Sequence, residues 1–230
     1  MERVKKAIVT GASSGIGLGI AHLLRELGYE VYGIGRKFKE EEIDRFHHII
    51  LDLLDTEELL KVLKNIGLHE VDLVVNNAGC AWYGIHENVD LSSISTMVRT
   101  NLEVPMLITK TVLPYIRKNK GTLLYISSMT AVKSSPHGAA YGATKAGLLA
   151  FSNSILEENR KHGVRVSCIL PDMTDTDLYR HADFKASNED GCALSVKDVA
   201  EAVRYILSLP TGVQVPVLEI LPQYHRIMKK

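Results

Sequence analysis

The sequence predicts an α/β fold, a single doubly wound parallel sheet of about seven strands with helices on both faces. Short runs rich in β-branched residues and leucine recur along the 230 residues, and amphipathic stretches of helical length separate them. The strand runs are mostly apolar throughout rather than alternating, as expected where both faces of a sheet are covered. Strand–helix alternation of this kind closes into a parallel sheet through right-handed crossovers.

In chain order, Ala7-Ile8-Val9 centres a first strand over 5–10, and an amphipathic helix over 15–27 follows a glycine-rich turn. Val31-Tyr32-Gly33-Ile34 marks a second strand over 30–35, and His48-Ile49-Ile50-Leu51 a third over 48–51. A helix over 56–66 leads to a fourth strand over 72–76, built on Leu73-Val74-Val75. A long helix over 91–115 precedes a fifth strand over 122–127, and a helix over 141–162 precedes a sixth over 164–170. A helix over 196–209 and a strand over 217–221 complete the pattern. No repeat, low-complexity segment or linker interrupts it, so one domain is expected over 1–230.

Composition narrows the function. Apolar residues make up 46% and charged residues 23%, an ordinary globular balance. Twenty-seven basic residues face 27 acidic ones, leaving no basic excess for nucleic acid or an anionic membrane. The first residues run directly into a strand without the apolar stretch and cleavage site of a secretion signal, and no run approaches a membrane span. Cys80, Cys168 and Cys192 are odd in number and lack C-x-x-C spacing, which points to reduced thiols in a cytoplasmic protein. The nine histidines form no metal-ligand pattern; His47 and His48, adjacent on a strand, face opposite ways.

Thr10-Gly11-Ala12-Ser13-Ser14-Gly15-Ile16-Gly17 joins the first strand to the first helix. Glycines there allow a tight turn and close backbone approach, and the helix N-terminus offers unpaired N–H groups to a phosphate. The spacing differs from G-x-G-x-x-G, so taken alone the turn reads as a nucleotide cradle or as plain turn chemistry. The second strand adds to it. Gly35 stands where an NAD-binding fold usually carries an acidic residue for the ribose hydroxyls, and Arg36 and Lys37 follow. A guanidinium can fork onto a 2′-phosphate and a lysine adds charge, which points to NADP over NAD. A solvated loop pair is the alternative.

Tyr141-Gly142-Ala143-Thr144-Lys145 places a phenol and an ammonium at i and i+4 of a helix, on one face. A phenol ionises near ~10, too high for efficient acid/base work at neutral pH, and an adjacent ammonium favours the phenolate.

With these motifs in order, the chain resembles the short-chain dehydrogenase/reductase family along nearly its whole length. The resemblance is carried by Thr10-Gly11-x-x-x-Gly15-x-Gly17, Asn76-Asn77-Ala78-Gly79 after the fourth strand, Asn101 in the long helix, Ser127-Ser128 after the fifth strand, and Tyr141-x-x-x-Lys145. It implies a Rossmann-type domain and a hydride-transferring oxidoreductase. It also implies that Tyr141 exchanges a proton with the substrate oxygen, Ser128 hydrogen-bonds that oxygen, Lys145 holds the nicotinamide ribose and lowers the Tyr141 pKa, and Asn101 anchors a relay water. The implied cofactor contacts are Gly11, Ser13, Ser14, Gly15, Ile16 and Gly17 at the turn, with Arg36 and Lys37. Asp52 and Leu53 follow after the third strand, with Asn76, Asn77, Ala78 and Gly79 after the fourth. Tyr141, Lys145, Pro171, Thr174 and Thr176 complete the set.

One motif departs from the family pattern. After the sixth strand a Pro-Gly is usual, whereas this chain reads Pro171-Asp172-Met173-Thr174-Asp175-Thr176. Asp172 is either a turn residue tolerant of unusual backbone angles or a carboxylate beside the substrate.

Substrate choice falls to a short lid around 177–192, with Tyr179, Arg180, His181, Phe184 and Lys185, and to Trp82, Tyr83, Met129, His137 and Met173. A short lid implies an open cleft. The tail from Ala193 to Pro222 resembles the branch of NADP-dependent 3-hydroxy acid (serine-type) dehydrogenases, which implies a 3-hydroxy acid substrate. The alternatives are a broad carbonyl reductase of apolar ketones and a non-catalytic NADP sensor. The expected partners are a small carbonyl or alcohol substrate and further copies of the chain, paired through the two long helices as a homodimer or homotetramer.

Overall fold

The computed structural model describes residues 3–39 and 41–230. Among them nine strands form: β1 (Lys6–Thr10), β2 (Glu30–Gly35), β3 (Phe46–Ile50), β4 (Val71–Asn76), β5 (Thr122–Ile126), β6 (Arg165–Pro171), β7 (Phe184–Ala186), β8 (Val217–Ile220) and β9 (Ile227–Lys229). Seven of them build one sheet in the order β3-β2-β1-β4-β5-β6-β8, every pairing parallel. The strand order reverses at β1, so the C-terminal ends of β1 and β4 part and leave a crevice between them, where open α/β sheets take their ligands.

The helices are α1 (Gly15–Glu26), α2 (Thr56–Asn65), α3 (Leu91–Val98), α4 (Val104–Asn119), α5 (Ala139–Asn159) and α6 (Val196–Ser208). Strand side chains alternate between two apolar layers. Ala7, Val9, Leu73 and Val75 pack with Ile20 and Leu24 of α1 and Val203 and Ile206 of α6. Ile8, Val74, Leu123 and Tyr125 face the other way, onto Leu59 and Leu63 of α2, Ile108 and Val112 of α4, and Leu148 and Ile155 of α5. This two-sided burial is why the strands read as apolar runs, and it bears out the doubly wound sheet.

Three elements differ from expectation. β3 starts at Phe46, two residues before the expected strand, because the fully buried Phe46 ring lies against the bare face of Gly33. A Cβ on Gly33 would sit 2.6 Å from Phe46 Cε2 and 2.8 Å from Ala12 Cβ. The next two residues separate as a strand requires: His47 stacks on Tyr32 at 4.9 Å and His48 on Phe38 at 4.0 Å. The expected helix over 91–115 is α3 and α4 joined by a π-helical turn, Arg99–Glu103, and it runs on to Asn119. Such turns widen a helix locally and occur often at functional sites. Finally, β7 and β9 form a separate antiparallel pair, Phe184 opposite Lys229 and Ala186 opposite Ile227, binding the C-terminal tail to the segment after β6. Two three-residue strands carry too little periodicity to be read from sequence.

Gly33→Ala is expected to destabilise the protein by roughly 1–3 kcal/mol through overpacking, with most of the loss recovered when Phe46→Leu is added. Urea unfolding of the single and double variants checks the coupling; additive losses would contradict the contact.

Candidate active site

The crevice is held open by a reciprocal set of hydrogen bonds. The Thr10 hydroxyl accepts the backbone N–H groups of Asn77 (3.0 Å) and Ala78 (3.1 Å). The Asn77 amide donates back to the carbonyls of Thr10 (2.9 Å) and Gly11 (3.4 Å). Gly17 makes this possible, since a Cβ there would lie 2.2 Å from the Gly11 carbonyl oxygen and 2.4 Å from Asn77 Nδ2. Gly11 has φ +67, open to glycine at little cost. Ser14 leads into α1 without any side-chain cap, so the first N–H groups of that helix face the crevice unpaired by a cap.

Gly11, Ser13, Ser14, Gly15 and Ile16 line one wall of the cleft, and Asn77, Ala78 and Gly79 the opposite one. Gly35, Arg36, Asp52 and Leu53 line its far end, and Tyr141, Lys145 and Thr176 its near end. Steric reasons keep position 35 free of an acidic side chain, because a Cβ there would lie 2.7 Å from Ser13 Cβ. Arg36 is exposed at the cleft edge, and Asp52 accepts the Leu54 N–H (3.0 Å) beside it. The walls fit a dinucleotide: unpaired N–H groups at a helix N-terminus, a guanidinium and a carboxylate at one end, and a buried ammonium at the other.

Helix α5 presents Tyr141 and Lys145 on its inner face, 3% exposed each. Lys145 Nζ donates to the Ile126 carbonyl (2.9 Å) at the end of β5 and lies 5.8 Å from the Tyr141 ring centre. Burial dominates the protonation of both groups. It pushes the Tyr141 phenol well above its usual value, with Ser128 hydrogen bonding the influence that lowers it. Burial also draws the Lys145 ammonium down to about 8. The Lys145 ammonium itself serves the Ile126 carbonyl.

Asn101 sits in the π turn, fully buried. Its Oδ1 accepts the Cys80 N–H (2.9 Å), and its Nδ2 donates to the Cys80 carbonyl (2.9 Å) and to Thr144 Oγ1 (3.0 Å). Both amide protons are spent, so the side chain braces the loop after β4 against α5. Gly79 fits between, as a Cβ there would lie 3.4 Å from both Asn101 Oδ1 and Lys145 Nζ.

An aromatic wall closes the Tyr141 end. Tyr83 lies 5.8 Å from Tyr141, 5.9 Å from Tyr179 and 5.1 Å from Phe184, measured between ring centres. Trp82 stacks on His181 at 5.0 Å. The segment after β6 is thus packed onto the loop after β4 and pinned from outside by β9, with Lys230 Nζ donating to the Tyr179 carbonyl (2.6 Å). The Asp172 carboxylate pairs with His225 of the tail (3.1 Å) and is not among the residues lining the cleft, and its backbone is not in the left-handed region.

Several expected contacts lie elsewhere. Asn76 is buried opposite Tyr125 with both amide atoms unpartnered, because strand alternation turns it away from the wall that Asn77 reaches. Lys37 is exposed outside the cleft lining, and Gly17 stands behind the turn. Pro171 is buried at the end of β6, and Thr174 is buried outside the cleft lining with its hydroxyl donating to the Asp172 carbonyl (2.9 Å). Ser128 reaches Tyr141 but not the cleft wall, and Met129 belongs to the core. Sequence reasoning missed Leu54, Thr96 and Thr100, which line the cleft. Thr96 and Thr100, four apart, gave only the pattern of a solvated helix face.

A family model described as short chain dehydrogenase matches residues 5–186. Serine 3-dehydrogenase of Rhizobium radiobacter is 30% identical over 230 residues, covering 94% of this chain and 92% of its own. Serine dehydrogenase complexed with NADP+ superposes with a TM-score of 0.85 at 27% identity, covering 94% of each chain. An alcohol dehydrogenase from the archaeon Thermococcus sibiricus, complexed with 5-hydroxy-NADP, superposes with a TM-score of 0.84 at 28% identity, covering 97% of this chain and 99% of its own.

The buried ammonium gives a stability test. Lys145 has a folded value of about 8 against an ordinary 10.5, so the unfolded chain holds more protons between those values and stability rises with pH there. Below that window the buried charge costs roughly 3 kcal/mol. Lys145→Met is expected to stabilise the ligand-free protein at pH 7 by about 1–3 kcal/mol, the gain shrinking as the pH rises to 9.5. Urea unfolding at the two pH values measures it; a variant less stable than wild type at pH 7 would contradict the account.

Proposed function

The chain belongs to the short-chain dehydrogenase family and is an oxidoreductase of that family; on that premise we propose that it uses NADP to interconvert a small carbonyl and its alcohol, with Tyr141 as acid/base. The observation that carries the reading is the placement of Tyr141 and Lys145 in a cleft that also holds Arg36, with Ser128 beside Tyr141. When bound, the nicotinamide cofactor supplies or accepts the hydride. The protein's part is to position and to manage a proton. Tyr141 gives its phenolic proton to the substrate oxygen in reduction and removes one in oxidation. Ser128, beside that phenol, stabilises charge developing on the same oxygen. Lys145 can leave the Ile126 carbonyl for ribose hydroxyls, which brings its charge to bear on Tyr141. Asn101 acts as a brace for these groups.

Cofactor choice rests on Arg36 and Gly35. Gly35 offers no carboxylate to an NAD ribose, and Ser13 fills the space one would need. Arg36 makes no ion pair with any described residue and stands free for a 2′-phosphate. The three cysteines, buried and unpaired, suit a reducing cytoplasmic setting, and no described helix is long and apolar enough to cross a membrane. Exposed Leu91, Val98, Met106 and Tyr115 along α3 and α4 support assembly as a homodimer or homotetramer. A small hydroxy acid suits the cleft better than a bulky apolar ketone, since the aromatic wall leaves little open face at Tyr141.

Tyr141→Phe keeps the ring packing and removes the proton donor; turnover is expected to fall on the order of 10²–10⁴-fold with an unchanged melting curve. Near-normal turnover by the folded variant would overturn the proposed role. Wild type is expected to favour NADPH over NADH by roughly 10–150-fold, the worth of one charge-assisted hydrogen bond. Arg36→Ala should erase most of that preference and leave NADH binding nearly unchanged. A wild type that favours NADH would overturn the cofactor assignment.

A further inference from the structure

Two guanidinium groups line the cleft, and neither has a carboxylate within ion-pair distance among the described residues. Arg36 is spoken for above. Arg180 lies in the short turn Asp177–His181 at the other end. Its two chain neighbours belong to the aromatic wall: Tyr179 packs on Tyr83, which packs on Tyr141, and His181 stacks on Trp82 within 11° of parallel. Arg180 is therefore bracketed by two residues that touch the wall beside the reacting phenol.

The guanidinium is also oriented. Nε donates to His181 Nε2 (3.2 Å) and Nη1 to the Asp177 carbonyl (3.1 Å), neither of them a carboxylate. Nη2 keeps both its protons, and the Asp177 carboxylate, though on the cleft wall, lies beyond ion-pair reach. Two other cations of this region are engaged, Arg226 by Glu189 (2.5 Å) and Lys230 by the Tyr179 carbonyl. A guanidinium held in place without a carboxylate partner is suited to an anionic ligand.

We propose that Arg180 is a specificity-determining residue that binds the carboxylate of a hydroxy acid or keto acid substrate whose carbonyl or alcohol lies at Tyr141. This rests on the dehydrogenase reading above. The cofactor diphosphate is the other oxyanion within the cleft's compass, but the uncapped N-terminus of α1 and the glycine turn already face it, whereas Arg180 follows Tyr179, whose ring packs on Tyr83 next to Tyr141.

The test compares acetoacetate with its ethyl ester in NADPH-dependent reduction, since the pair differs in charge at one end. The ratio of kcat/KM for acid over ester is expected to fall by about 10–150-fold in Arg180→Ala, through KM, with NADPH affinity within twofold of wild type. Arg180→Lys is expected to retain part of the ratio. As a second readout, malonate should stabilise the wild-type NADP+ complex against heat and should not stabilise the Arg180→Ala complex. An unchanged ratio, an equal loss on acid and ester, or a loss of NADPH affinity of the same size would each overturn the proposal, the last by assigning Arg180 to the diphosphate. Reduction of the ester alone, with no malonate effect, would refute it and leave the dehydrogenase reading standing. No reduction of any carbonyl would remove both.

Discussion

At the C-terminal ends of β1 and β4 the Thr10 hydroxyl takes two backbone N–H groups from the facing loop, and the Asn77 amide returns two bonds to the Thr10 and Gly11 carbonyls. Parallel strands part there because the connections run in opposite directions, and parting exposes backbone groups that would otherwise go unsatisfied. The reciprocal bonds satisfy them and set the distance between the two walls of the cleft. They also explain why position 17 carries no side chain: a Cβ would strike both partners at once. The cleft is therefore a consequence of how the sheet closes at its reversal point.

A second constraint is the burial of Lys145. An ammonium in a nearly dry position is stabilised only by the Ile126 carbonyl and by whatever the cleft brings, and its lowered pKa records the imbalance. Tyr141 shares that environment and is held in its neutral, proton-bearing form. The π turn at Arg99–Glu103 and the Asn101 brace hold the loop after β4 against α5, so these groups sit on rigid elements rather than on loops. Binding energy from a dinucleotide can offset the strain of the buried charge, and the same event would turn the ammonium toward the phenol.

Much of this was legible in the sequence. Apolar strand runs gave the doubly wound sheet because both layers are covered, and the glycine turn, Arg36, Asp52 and Tyr141-x-x-x-Lys145 fell on the cleft because motif spacing there is set by backbone geometry. What escaped was set by tertiary contact. Phe46 extends β3 only because Gly33 is bare opposite α1, and the β7–β9 pair joins segments about forty residues apart with three residues each. Asn76 and Asn77 look alike in sequence, yet strand alternation buries one and makes the other the latch. The partner of Asp172, His225 of the tail, lies 53 residues away and left no mark in local spacing. Thr10 stood in the turn motif without a role of its own, since its hydroxyl matters through Asn77 and Ala78 across the sheet.

The claim at the centre of this account is that the cleft sets a nicotinamide directly against a substrate carbon beside Tyr141. Reduction of a ketone substrate with NADPH carrying deuterium on one face of C4 tests it most directly. Mass spectrometry of the product alcohol should show one deuterium on the carbinol carbon from one labelled face and none from the other, in light water throughout. Product without deuterium from either face would mean that the hydride does not pass directly across this cleft, and would contradict the account.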